Sequence, residues 1–334
     1  MSVRWPITYD DVLCAQERLR PHLDPTPLRS YAGLDDALGC HVLIKHENHQ
    51  PTNAFKVRNA LAVMTALSDP QRARGVVAAT MGNYGQGLAW AGGRLNVPVT
   101  ICAPHSVNRE KVAAMRSFGA ELVIEGDDYD DANTVVDRLV KERGLYPAHG
   151  VNHTQVLAGA ATITLEMLEQ AGAAGESIDA MVIVVGGGSQ AVGAMTVLRH
   201  HGLKLPVFAV QAEGARTTHD GYHQRKPLAG PTPTTFAEGV ATRQTYESTF
   251  DALCDGLAGF VLVSDAQIAE AMRLLLTTTH NLAEPAGAGS IAALPKLADQ
   301  LGGRGPGPGR TVAVIMSGAN VDADTLRRVL NREI

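Results

Sequence analysis

The chain has 334 residues, with 34 Gly, 15 aromatics (6 Phe, 7 Tyr, 2 Trp) and a formal net charge of -5. That length can bury roughly three-quarters of the unfolded surface and predicts about two domains, and 45% apolar against 19% charged residues excludes a disordered chain. Nucleic acid is not an expected partner, because an acidic chain lacks the Lys and Arg excess that binds phosphates, and few aromatics leave few stacking platforms.

The first residues, Met1-Ser2-Val3-Arg4-Trp5-Pro6, hold no continuous apolar run. No stretch approaches the roughly 18 unbroken apolar residues of a membrane span. Cys14, Cys40, Cys102 and Cys254 stand far apart without a CxxC pair, so each is expected as a small buried apolar residue. The expectation is a soluble cytoplasmic protein with no membrane partner.

In chain order, runs rich in β-branched residues fall at 41–45, 75–79, 97–103, 120–125, 180–185, 206–211, 259–263 and 311–316. Helical patterns lie between them, as at 131–143, where Ala132, Val135, Val136, Leu139 and Val140 recur at 3.6-residue spacing. Asn108 precedes a helical start and Gly119 marks a helical stop. Alternating strands and helices predict an α/β fold with mostly parallel sheets. No repeat of 20 to 50 residues occurs, and 302–309 reads as a connecting loop by composition.

Function in such folds gathers at the carboxyl ends of strands. Val184-Val185-Gly186-Gly187-Gly188-Ser189 follows an apolar strand and opens a helix, so its backbone amides can converge on a phosphate. The same stretch satisfies GxGxxA, which keeps a nicotinamide dehydrogenase in view, with Gln211 and Glu213 about where a ribose-binding acid would stand. Lys56 sits at a helix start beside Phe55, where apolar surroundings and the helix dipole both lower an ammonium pKa and favour a Schiff-base nucleophile. Thr80-Met81-Gly82-Asn83-Tyr84-Gly85 is a second loop after a strand, with an amide donor in Asn83 and hydroxyls in Thr80 and Tyr84. Ser317 ends the last strand.

These motifs, in order with Thr26-Pro27-Leu28, Ala54-Phe55-Lys56-Val57-Arg58, Glu238-Gly239-Val240-Ala241 and Glu284-Pro285-Ala286-Gly287, resemble the fold-type II pyridoxal 5′-phosphate enzymes of the serine/threonine dehydratase and serine racemase group. The resemblance spans nearly the whole chain. It implies two open, twisted, mostly parallel sheets flanked by helices, in the manner of the tryptophan synthase β chain. A large cofactor domain would cover 1–76 and 150–334, and a small mobile domain 77–149.

By the same resemblance Lys56 carries the cofactor's aldehyde carbon and removes the substrate Cα proton. Phe55 and Gly239 flank the pyridine ring, Asn83 meets its 3′-oxygen, and Gly186, Gly187, Gly188 and Ser189 hold the phosphate. Ser317 faces the ring nitrogen, and Thr80, Met81 and Tyr84 line the substrate pocket. A neutral hydroxyl at the ring nitrogen makes a weaker electron sink than an acid partner would allow, which favours prompt loss of a β leaving group.

Met81 stands where racemases carry a proton-transferring serine, so elimination is expected over racemisation. Gln211 replaces a glutamate that ligates a divalent cation in racemase-type members, with Glu213 two residues on. Mg²⁺ dependence is therefore open, and a monovalent cation is the alternative. Glu284 matches the group's acidic residue, and the short tail after Asn320 suggests an unregulated, catabolic enzyme. The expected activity is that of a carbon–oxygen lyase, a dehydratase (ammonia-lyase) that turns threonine, serine or a bulkier relative such as phenylserine into a 2-oxo acid and ammonia, working as a homodimer. Racemisation or β-replacement with the same cofactor are the alternatives. A hydroxyaspartate substrate would call for an extra cation, and the motifs offer none.

Overall fold

The computed structural model describes residues 5–80, 82–127, 129–300 and 309–334, so Met81 and nearly all of the 302–309 loop lie outside the described residues. The strands are β1 (Leu28–Arg29), β2 (His41–His46), β3 (Val76–Ala79), β4 (Val99–Ala103), β5 (Glu121–Ile124), β6 (Tyr146–Pro147), β7 (Ala180–Val184), β8 (Val207–Ala212), β9 (Gly259–Val263) and β10 (Thr311–Met316). They form a six-stranded sheet in the order β1-β2-β10-β7-β8-β9 and a four-stranded sheet in the order β5-β4-β3-β6. Every pairing is parallel except β1 with β2. All eight apolar runs therefore became strands. The two-residue β1 and β6 were not expected, because two residues carry no period to detect.

The large sheet is covered on both faces, which explains its nearly unbroken apolar strands. Side chains alternate across it. Val182, Val312 and Val314 face a cluster with Ile291, Leu294 and Leu297 of the Pro285–Gln300 helix. Met181, Ile183, Ala313 and Ile315 face Ile163 and Met167 of the Thr154–Ala173 helix and Val192 and Met195 of the Ser189–His200 helix. Gly193 sets how closely these last two helices approach, since a Cβ there would lie 2.7 Å from the Ala161 Cα. In the smaller sheet Val76, Ala78, Val99 and Ile101 pack with Leu61, Met64, Leu88 and Met115.

Local punctuation follows the sequence. The Asn108 side chain accepts the backbone N–H groups of Glu110 and Lys111 at the start of the Arg109–Ser117 helix, and Gly119 takes φ +92°. One expectation is corrected: Cys14 is exposed, while Cys40 and Cys102 are buried. The Tyr9–Leu19 helix turns Val12, Ala15 and Leu19 inward, which leaves position 14 on its outer face. Among the described residues no helix is long and apolar enough to cross a membrane.

Behind the first turn of the Lys56–Thr65 helix lies a buried ionic network. Arg58 donates Nε and Nη2 to Glu47 (2.8 and 2.9 Å) and Nη1 and Nη2 to Glu166 (2.6 and 2.8 Å). The Lys45 ammonium donates to Glu166 at 2.9 Å and to the Thr26 carbonyl at 2.7 Å. Burial works against the Glu166 charge, yet Arg58 and Lys45 hold its carboxyl below the usual range.

Candidate active site

Three loops are stitched together at the carboxyl end of β10. The Phe55 N–H donates to the Ser317 carbonyl, the Ala319 N–H to the Asn53 carbonyl and the Glu284 N–H to the Gly318 carbonyl, each at 2.9 Å. Ala54 and Gly318 form an isolated antiparallel bridge. Gly318 is required by this close approach, because a Cβ there would lie 2.6 Å from Glu284 Oε1. The stitching fixes Lys56 as the first residue of its helix, with its amine 4.9 Å from the centre of the Phe55 ring. Burial lowers the Lys56 ammonium from 10.5 to about 8, against an opposing pull from the Glu284 carboxylate. The amine is therefore neutral in a useful fraction of molecules near neutral pH, as a nucleophile or base requires.

Asn83 begins the helix after β3 and reaches across to the large sheet. Its amide nitrogen donates to Glu284 Oε1 (2.8 Å) and Oε2 (3.0 Å), and its Oδ1 accepts from Asn320 at 2.8 Å. Asn320 also donates to the Thr52 carbonyl, so the loops carrying Lys56, Asn83, Glu284 and Ser317 share one network. Burial raises the Glu284 carboxyl, while the Asn83 hydrogen bonds counter the rise. Thr80 and Ser317 are buried, and Tyr84 is buried with its ring against Gly150.

Gly186, Gly187 and Gly188 follow β7, and Ser189 starts the next helix. Gly188 is its N-cap at φ +89°, a conformation that favours glycine, and no side chain caps the helix. The first amides thus lack a side-chain acceptor, in the arrangement that binds phosphate. A Cβ on Gly187 would lie 2.5 Å from a Val151 methyl, and one on Gly186 would lie 3.1 Å from the Gly239 carbonyl oxygen. The glycine loop and Gly239 therefore face one another, and Gly239 lies beside Ala286 and Glu284. An amine of lowered pKa, a glycine cradle at a helix start and a hydroxyl at a strand end suit an aldehyde cofactor bearing a phosphate.

A family model described as "Pyridoxal-phosphate dependent enzyme" matches residues 19–318. The chain belongs to this family. It is 33% identical over 307 residues to a biosynthetic L-threonine dehydratase of Salmonella typhimurium, covering 92% of this chain but only 58% of that protein. It is 31% identical to an L-threo-3-hydroxyaspartate ammonia-lyase of a Pseudomonas species, over 97% of this chain and 98% of that one. Among solved structures, a T.th. threonine deaminase superposes with a TM-score of 0.87 at 33% identity, covering 95% of this chain and 99% of the other. Membership brings pyridoxal phosphate as the cofactor and the fold-type II architecture. The dehydrogenase alternative is set aside.

The structure brings Phe55, Lys56, Asn83, Ser317 and Glu284 together, and Gly239 with the glycine loop. Gln211 has other work: it is fully buried, its Oε1 accepts the His219 N–H at 3.0 Å, and its Nε2 donates to Thr242 at 3.4 Å. Glu213 is half exposed, 3.5 Å from Lys296. Among the described residues no group of three or more His, Cys, Asp or Glu is arranged to hold a metal.

Two residues escaped the sequence reading, and a third was marked only as part of a motif. The Nδ1 of His149 accepts the backbone N–H groups of Val151 (3.0 Å) and Asn152 (2.9 Å), which puts its proton on Nε2. Burial and the Lys56 charge both lower its pKa. It follows the two-residue β6, where nothing in the sequence marks a strand end. Lys111 and Glu238 form an ion pair between a helix of the small sheet and the turn that carries Gly239, and only tertiary structure joins them.

Proposed function

We propose that this chain is a pyridoxal-phosphate-dependent ammonia-lyase that removes the β-hydroxyl and the amino group of a β-hydroxy-α-amino acid, leaving a 2-oxo acid and ammonia. The observation that carries the reading is the Lys56 amine, lowered to about 8 at the meeting point of the Ser317, Asn83 and Glu284 loops. When bound, the cofactor stabilises negative charge at the substrate Cα. Lys56 holds the cofactor until substrate arrives and then takes the Cα proton on Nζ. Gly186, Gly187, Gly188 and Ser189 bind the phosphate through backbone amides. Phe55 and Gly239 border the ring, Asn83 orients its oxygen, and Ser317 offers a neutral hydroxyl at the ring nitrogen.

Thr80 and Tyr84 line the substrate side, and the small domain over 77–149 closes over it to exclude water. The likeness to a threonine dehydratase, a hydroxyaspartate ammonia-lyase and a threonine deaminase supports elimination. A cytoplasmic homodimer is the proposed working form; the four unpaired cysteines fit a reducing compartment.

The test is a panel of threonine, serine, phenylserine and hydroxyaspartate stereoisomers, assayed for 2-oxo acid and ammonia, with chiral analysis of recovered substrate. Keto acid and ammonia in equal amounts are expected from at least one member. Appearance of the opposite enantiomer without keto acid would replace elimination by racemisation.

A further inference from the structure

Lys111 is the third residue of the Arg109–Ser117 helix, on the small-sheet side. Glu238 opens the short turn Glu238–Val240 on the large-sheet side, immediately before Gly239. The Lys111 ammonium donates to Glu238 Oε2, and the lysine side chain is 16% exposed against 51% for the glutamate. Both residues border the site. A Cβ on Gly82, the neighbour of Asn83, would lie 3.8 Å from Lys111 Nζ, and one on Gly239 would lie 3.8 Å from Glu284 Oε1. The charge of Lys111 reaches Glu284 and Asp322 as well.

Lys111 is thus a cation at the rim of the site whose hydrogen-bonding capacity is partly taken by a carboxylate of the chain itself. A substrate with a second carboxylate near this rim would compete with Glu238 for the ammonium and meet a like charge while doing so. Discrimination of this kind rests on the repulsive group as much as on the attractive one.

We infer that Glu238 is a specificity-determining residue: by holding Lys111 it biases the site toward amino acids whose side chain is uncharged and against those bearing a second carboxylate. The substrate class named here rests on the ammonia-lyase reading, whereas the charge discrimination rests only on the ion pair. Glu238→Gln removes the competing charge while keeping an amide oxygen that can still accept, and Glu238→Ala frees the Lys111 N–H that Glu238 holds, so in both an incoming carboxylate meets less competition.

The experiment uses the holoenzyme, its Glu238→Gln and Glu238→Ala variants, and the double variant Lys111→Met/Glu238→Gln. The ratio of kcat/KM for threo-3-hydroxyaspartate to that for L-threonine should rise about 10-fold in either single variant, a change of about 1.4 kcal/mol, and fall back in the double variant. In parallel, calorimetry with succinate and butyrate reads charge preference without turnover. Succinate should bind about 10-fold tighter to the single variants than to the wild type, with butyrate unchanged. Unaltered succinate affinity in both folded single variants, or a gain that survives loss of Lys111, would overturn the inference. Wild-type protein inert toward every β-hydroxy amino acid would instead overturn the ammonia-lyase reading, and the succinate measurements would still decide the role of Glu238.

Discussion

The lowered pKa of Lys56 makes a quantitative prediction for cofactor capture. An amine titrating at about 8 is ~10% unprotonated at pH 7, whereas one at the ordinary 10.5 is ~0.03% unprotonated, a difference of about 300-fold in nucleophile. The perturbation is pH itself, applied to cofactor-free protein mixed with pyridoxal phosphate, with initial rates followed by absorbance from pH 6 to 10. Because burial depresses the pKa, the rate should climb as pH rises toward 8 and level off above about pH 9. Borohydride reduction followed by peptide mass analysis should place the adduct on Lys56, and Lys56→Ala should form none. A rate still rising tenfold per pH unit beyond pH 9 would refute the burial argument, and an adduct in Lys56→Ala would refute the assignment of the residue.

Two further outcomes test the frame around the site. Glu166→Ala leaves Arg58 and Lys45 short of their shared carboxylate inside the protein, so urea unfolding should show a loss of about 3 to 5 kcal/mol; a loss under about 1 kcal/mol would mean that the network contributes little. Gly188→Ala puts a Cβ on a residue at φ +89°, 3.0 Å from a Leu253 methyl, and should cost about 1 to 2 kcal/mol of stability. Equilibrium titration should also show weaker pyridoxal phosphate binding in that variant, and unchanged affinity would argue against the glycine loop as the phosphate site.

Several parts of the candidate site are local in the sequence. A lysine at a helix start, a glycine run after an apolar strand and a serine at the end of the last strand each carry their chemistry within a few residues. On that basis alone only Gly186 to Gly188 point to a ligand, whereas Lys56 and Ser317 gain their roles from the ordered set of motifs and the resemblance it carries. The contacts that give those parts their properties are not local. Asn83 and Glu284 are 201 residues apart, and no spacing rule joins them. His149 follows a strand too short to show a period, and Glu238 drew notice as one residue of a motif, never as the partner of Lys111. Gln211 shows the opposite limit: the resemblance sets it where racemase-type members carry a metal-binding glutamate and so leaves a metal open, while only the fold shows it binding the His219 amide and Thr242.

What the sequence determined was the alternation of eight apolar runs with amphipathic helices, and with it parallel sheets whose carboxyl ends hold the glycine loop and Ser317. Periodicity and turn chemistry act over a few residues, so they survive without knowledge of neighbours. Tertiary structure alone decided which loops meet. It buried Lys56 enough to lower its pKa, set Glu284 against Asn83, tied Arg58 and Lys45 to Glu166, and brought Lys111 of one sheet's helix to Glu238 of the other. Burial and charge proximity depend on distance in space, and a linear order of residues does not contain that distance.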